Sequence, residues 1–161
     1  MNKITPCLWF DGTAEEAAQF YTSVFPNSEI TKIFRSPADT PSGPEGMVLT
    51  VEFTIAGQPF IGLNGGSDFK FNESVSFSID CADQAEVDRY WDILVQGGGE
   101  HSVCGWLKDR YGLSWQVVPK KANEYFEGSD REGAKRAMEA MLKMTKLNVE
   151  ELREAYEGVP A

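Results

Sequence analysis

Over residues 113–118 the chain alternates, with Leu113, Trp115 and Val117 on one side and Ser114, Gln116 and Val118 on the other. Strand side chains point to opposite faces with period two, so this run predicts a strand with one wholly apolar face and one mixed face. A second apolar-rich run begins at Trp106, and Asp109-Arg110-Tyr111-Gly112 reverses the chain between the two. Glycine supplies the positive φ that a tight hairpin needs. An inward amide opposite an apolar face suggests a sheet packed on one side and lining a cavity on the other.

The same patterning runs through the rest of the chain. Residues 4–10 predict a short strand, and Pro6 places it at an edge or a strand end. Thr13-Ala14-Glu15-Glu16 is a capping box for a helix whose stripe is Ala17, Phe20 or Tyr21, Val24 and Phe25, stopped by Pro26-Asn27. Residues 28–35 predict a strand and 36–46, with three prolines and two glycines, a mobile loop. Residues 47–55 alternate, Ala56-Gly57-Gln58 turns the chain, a further strand follows from Pro59 to Asn64, and Gly65-Gly66-Ser67 closes the unit.

The order then recurs. Val75, Phe77 and Ile79 alternate with Ser74, Ser76 and Ser78; Asp83 with Glu86 caps a helix striped by Val87, Tyr90, Trp91 and Leu94; Gly97-Gly98-Gly99 ends it. Phe10-Asp11 superposes on Ile79-Asp80, and little more than Glu100-His101 remains for the second copy's first meander strand. A strand, a capped helix and an antiparallel meander occurring twice is a duplication, and it predicts an α+β fold of two βαβββ modules. Their bounds are about 3–66 and 74–119 within a domain of residues 1–122. A helical extension over 123–161 follows. There Ser129-Asp130-Arg131-Glu132 opens a helix striped by Ala134, Met138, Met141, Leu142 and Thr145, and Asn148-Val149-Glu150-Glu151 opens another that ends near Gly158.

Composition narrows the roles. A chain of 161 residues that is 42% hydrophobic can bury a real core. The net charge of −10 repels phosphate backbones and anionic lipid, which argues against nucleic-acid and membrane partners. Cys7, Cys81 and Cys104 are odd in number and widely spaced, and no apolar run approaches a membrane span. The expectation is a reduced, cytoplasmic protein whose cysteines are small buried hydrophobes.

Two residues stand out as candidates for catalysis. Glu52 is a carboxylate placed mid-strand; it belongs either to a solvated sheet face or to a cavity, where it would be an acid or base. Cys104 beside Trp106 is either an inert thiol or a reactive one, with only Lys108 as a nearby cation. Phe69 and Phe71 offer a flap or core packing. Both glycine clusters read as caps and turns, and there is neither a GxSxG run nor a serine with a candidate base histidine.

Thr5-Pro6-Cys7-Leu8-Trp9-Phe10-Asp11-Gly12, Ala14-Glu15-Glu16-Ala17, Leu63-Asn64-Gly65-Gly66 and above all the run from Cys104 through Trp106-Leu107-Lys108-Asp109-Arg110-Tyr111-Gly112 to Pro119 resemble a known family. It is the PhnB-like family, labelled 3-demethylubiquinone-9 3-methyltransferase, of the vicinal oxygen chelate superfamily that includes glyoxalase I, extradiol dioxygenases and bleomycin-resistance proteins. The resemblance covers residues 2–119. It implies incomplete barrels around a cavity, usually in a homodimer, and a divalent metal held by four side chains at positions occupied here by Thr5, Gly62, Ser74 and Gln116. Glycine offers no ligand, and hydroxyls and a lone amide are poor ones. The metal expectation is therefore none, and no cofactor is expected. With Gln116 inward, the cavity would be lined by Cys7, Trp9, Phe60, Asn64, Ser76, Ser78, Trp106, Ser114 and Gln116, apolar walls with a few hydroxyls and amides that suit a small organic ligand. The alternatives are a metal-dependent lyase, isomerase or dioxygenase, a methyltransferase as the family label implies, and a dimerisation or protein-interaction module working through its helical tail.

Overall fold

The duplication is present in three dimensions. The computed structural model describes residues 2–161, which form two compact units, one ending at Phe71 and one spanning Asn72–Ala161. The first unit contains β1 (Cys7–Phe10), α1 (Ala14–Val24), β2 (Glu29–Arg35), β3 (Val48–Ile55) and β4 (Gln58–Asn64). Its sheet has the order β1-β4-β3-β2, with β1 parallel to β4 and the other pairs antiparallel.

The period-two pattern decides which face is buried. Val51, Phe53 and Ile55 join Leu8, Phe10 and Phe60 under α1, whose Ala14, Ala17, Ala18, Tyr21 and Val24 are buried against them. Of the two aromatics considered for the α1 stripe, Tyr21 is the buried one; it stacks on Phe53 at 6.3 Å, and Phe53 stacks on Phe60 at 5.7 Å. Pro6 lies just outside β1, an edge strand shorter than predicted because proline has no amide to add to the ladder. Its carbonyl still accepts from the Ile61 amide at 2.9 Å.

The start of α1 differs from the expected capping box. Thr13 makes no side-chain cap. Asn64, at the end of β4, instead accepts the Ala14 amide through Oδ1 at 2.8 Å and donates from Nδ2 to the Val48 carbonyl at 2.9 Å. The helix end is thus tied to the sheet rather than to its own preceding turn. The loop over 36–46 is also more structured than its composition suggests. Ser36 is buried and donates to the Ala38 carbonyl at 2.5 Å, Thr40 bridges Gly43, and Asp39 Oδ1 accepts the Glu45 amide at 2.8 Å.

The second unit repeats the topology with β5 (Ser76–Cys81), α2 (Gln84–Ile93), β6 (Glu100–His101), β7 (Trp106–Lys108) and β8 (Ser114–Pro119) in the order β5-β8-β7-β6. Here the capping box forms: Asp83 Oδ1 accepts the Glu86 amide at 2.9 Å, and Glu86 reaches back to the Ala82 amide at 3.0 Å. Val87, Tyr90, Trp91 and Leu94 are buried as the stripe requires.

Three helices complete this unit: α3 (Lys120–Phe126), α4 (Arg131–Met141) and α5 (Val149–Glu157). The first was not predicted; its seven residues contain one buried position, Ala122, and carry almost no periodic signal. The α4 stripe is also rotated from the predicted one. Gly133, Ala134 and Ala137 are buried, whereas Met138 is 39% and Leu142 is 62% exposed. Small residues let α4 approach α5, and the Gly133 position has no room for a Cβ, which would lie 2.7 Å from the Tyr156 carbonyl. Ala122, Met144, Leu147 and Leu152 form a cluster that packs on Val118 of β8.

Candidate functional site

The geometry of the site begins at Asp109, which is 2% exposed. Its Oδ1 accepts the amides of Tyr111 (2.9 Å) and Leu113 (3.1 Å), and its Oδ2 accepts the Trp115 indole N–H at 2.9 Å. Gly112 completes the reversal at φ 85°. This turn fixes the register in which β8 leaves the hairpin. Trp115 and Val117 go to the core, and Ser114 and Gln116 go to the other face.

Directly paired residues share a sheet face. Trp106, Gln116 and Ser78 therefore form one row of that face, and Lys108, Ser114 and Ser76 the next. Gln116 Nε2 donates to Ser76 Oγ at 3.0 Å. Beside these rows lies a pocket of about 560 Å³ walled by Trp106, Leu107, Val103 and Cys104, with Ser114, Lys108, Glu73, Glu100, His101 and Ser102 as its polar lining. Ser114 is 1% exposed, and its hydroxyl has no hydrogen-bond partner among the described residues. A hydroxyl shut away from water without a partner costs about 1–3 kcal/mol.

The charges sit at the mouth. Lys108 and Glu73 form a solvent-exposed ion pair, and that hydrogen bond holds the Glu73 carboxyl below its ordinary range and the Lys108 ammonium above its own. His101 is stacked on Trp91 at 4.2 Å and donates from Nε2 to the Trp91 carbonyl at 2.7 Å. Glu73, Glu100, His101 and Val103 were not among the predicted lining residues. They come from the linker, from the shortest strand and from the turn that follows it, where no periodicity marks them.

Of the predicted lining residues, Trp106 and Ser114 line this pocket, and Ser76, Ser78 and Gln116 share its sheet face. Cys104, one of the two catalytic candidates, is also in its wall. In the first unit the predicted set divides. Cys7 pairs with Ile61 and Trp9 with Leu63, while Ile61 also pairs with Glu52, so Cys7, Trp9 and Glu52 share the face away from α1. Phe60 and Asn64 lie on the helix face instead, Phe60 stacked on Phe53 and Asn64 holding the Ala14 amide. Both were expected on the cavity side; the pairing of Phe60 with Phe53 of β3 turns this set of β4 toward α1 instead. Trp9 is anchored by its indole N–H to the Gly66 carbonyl at 2.8 Å and meets Phe69 edge-on at 4.9 Å. Phe71 meets Phe10 edge-on at 5.4 Å.

Residues 2–118 match the family model described as 3-demethylubiquinone-9 3-methyltransferase. The chain belongs to this PhnB-like family. A Bacillus cereus protein named for PhnB and for the same methyltransferase is 36% identical, with a TM-score of 0.65, covering 73% of this chain and 99% of that one. The Pseudomonas aeruginosa protein PA1353 shares the fold at 18% identity and a TM-score of 0.62, covering 74% of this chain and 98% of its own. No protein with a curated description matches.

This PhnB-like chain does not fit the metal of the wider superfamily. Among the described residues no three His, Cys, Asp or Glu side chains gather closely enough to hold an ion. Of the positions implied by the resemblance, Gly62 faces α1, where a Cβ would sit 3.3 Å from Ala14 Cβ and 3.5 Å from the Phe53 ring. Ser74 donates its hydroxyl to Asn72 Oδ1 at 2.5 Å, and the Gln116 amide is engaged by Ser76. A nucleotide-like cofactor also lacks its cradle. Gly65-Gly66 leaves β4 without entering a helix, and Gly97-Gly98-Gly99 follows α2 and leads to β6, so neither glycine run sits at a helix N-terminus.

Proposed function

We propose that this PhnB-like protein binds a small, mostly apolar organic molecule carrying a hydroxyl or carbonyl, and that it does so in the pocket of its second unit without a metal. The observation that carries the reading is Ser114: a buried hydroxyl with no partner, lining an otherwise largely apolar recess. Apolar walls supply affinity and one well-placed polar group supplies orientation. The ligand's polar atom bonds Ser114 Oγ, and its hydrocarbon body lies against Trp106, Val103 and Leu107. A cytoplasmic homodimer is part of the same reading. The three cysteines are free, and no helix among the described residues is long and apolar enough to cross a membrane.

The test is a thermal-shift titration with 2-naphthol, an apolar bicycle bearing one hydroxyl, on the parent protein and on Ser114→Ala. Binding to the folded state raises Tm by mass action. The parent shifts upward. Ser114→Ala, freed of an unsatisfied buried group, starts about 1 kcal/mol more stable but shifts much less. A flat parent titration, or a variant that binds as well as the parent, would sink the reading.

A further inference from the structure

The wall of the pocket is held from behind by the helical extension. Within the turn between β6 and β7, Cys104 donates its amide to the Met144 carbonyl at 2.9 Å and Gly105 donates to the Thr145 carbonyl at 2.8 Å. Both acceptors belong to the connection between α4 and α5, residues 142–148. That connection is itself fixed on α2. Gln84 Nε2 donates to the Leu147 carbonyl at 3.1 Å and Gln84 Oε1 accepts the Val149 amide at 2.8 Å, while Lys146 pairs with Asp88 at 2.8 Å. Leu147 is buried beside Gly105, where a Cβ would come within 3.1 Å of Leu147 Cγ. Cys104 adopts φ 56°, a left-handed conformation that side-chain-bearing residues keep only when their surroundings impose it.

We infer that the α4–α5 connection, positioned by Gln84, sets the conformation of Cys104 and so the shape and ligand selectivity of the pocket; this rests on the proposed ligand occupying that pocket. The Bacillus cereus structure is 99% accounted for by 73% of this chain, and the family match stops at residue 118, before α3 begins. The α4–α5 connection that grips the wall therefore lies outside the residues the family model matches, whereas Gln84 and Asp88, which position it, lie within them. Selectivity here is supplied by an added element gripping a loop of the common scaffold, which is where recognition residues tend to vary.

The experiment compares the parent with Gln84→Met, which keeps the side-chain volume and removes the hydrogen bonds to Leu147 and Val149 together with the one to Asp88, in a Cys7→Ser background. Amide hydrogen exchange at Cys104 and Gly105 should accelerate at least tenfold, and iodoacetamide should alkylate Cys104 several-fold faster. Exchange along the β5–β8 ladder should stay unchanged. Unaltered exchange at these two residues and unaltered alkylation of Cys104, with the Val149 amide loosened, overturns the inference. Should Gln84→Met fail to fold, Lys146→Ala takes its place, with at least threefold faster exchange at the two amides expected and no change overturning it. Titration with 2-naphthol keeps the two ideas apart. A loosened wall should weaken binding at least fivefold, and a parent that never binds 2-naphthol defeats the ligand reading while exchange still decides the wall.

Discussion

Trp115 donates its indole N–H to the buried carboxylate of Asp109 across the β7–β8 hairpin, 2.9 Å away. The same carboxylate takes the amides of Tyr111 and Leu113, so one side chain satisfies three donors and fixes the register of the strand that presents Ser114. Asp109→Ala removes the acceptor of all three, and a buried donor that loses its acceptor costs about 1–3 kcal/mol. A loss of roughly 3 kcal/mol or more is expected from Asp109→Ala in urea unfolding at unchanged m. Asp109→Asn keeps an acceptor but faces one donor with another, and should lie between parent and alanine variant. An Asp109→Ala variant as stable as the parent would remove this turn as the organiser of the hairpin.

Asn64 and Thr13 offer a paired test at the start of α1. By sequence, Thr13 is the cap, and capping threonines are worth about 1 kcal/mol. By structure, Asn64 does that work from β4. Asn64→Ala should therefore cost about 1–3 kcal/mol, since it strands the Ala14 amide and the Val48 carbonyl together. Thr13→Ala should stay within about 0.5 kcal/mol of the parent, as surface substitutions usually do. Urea midpoints for the two variants check both values, and the reverse ranking would restore the capping box.

That contrast shows where the chain is legible and where it is not. Patterns local in sequence were readable: the alternation of Val51, Phe53 and Ile55, the Asp83–Glu86 box, the truncated β6 and the duplication itself. The choice of face on β4 was not, because Pro59, Ile61 and Leu63 form the more apolar set, yet Phe60, Gly62 and Asn64 are the ones buried. Only pairing with β1 and β3 settles it. The pocket was half legible. Trp106 and Ser114 follow from the strand pattern, whereas His101 and Glu73 arrive through a two-residue strand and a linker. The hold on Cys104 was invisible, since it joins residues about forty positions apart through backbone carbonyls that carry no sequence signature.

Cys81 makes stability fall in alkali. Burial, reinforced by the charges of Glu86 and Asp80, pushes its thiol from the usual 9.0 up to about 12. In the unfolded chain the thiol ionises near its ordinary value; in the folded chain it stays protonated. The stabilising contribution is complete below pH 9 and is lost as pH rises toward 12. The slope cannot exceed about 1.4 kcal/mol per pH unit for one proton. Tyr90, raised chiefly by burial, adds a loss of the same sign at higher pH. Urea midpoints between pH 8 and 11 should decline in the parent and flatten over the first part of that range in Cys81→Ala. Parallel curves for the two proteins would assign the alkaline loss to other groups.

Gly62 separates the metal-binding reading from the metal-free one. If its position were a lost ligand site, restoring a carboxylate there should restore an ion. The backbone directs any side chain at 62 into the gap between Ala14, Phe53 and Phe10, where even a Cβ is 3.3 Å from its nearest neighbour. An unpaired carboxylate forced into that core has neither water nor a partner, so Gly62→Glu should destabilise by more than about 3 kcal/mol. Adding zinc or nickel should leave its Tm where it was. A folded Gly62→Glu whose Tm rises on metal addition would show that β4 turns its other face to the site, and the metal-free pocket would have to be abandoned.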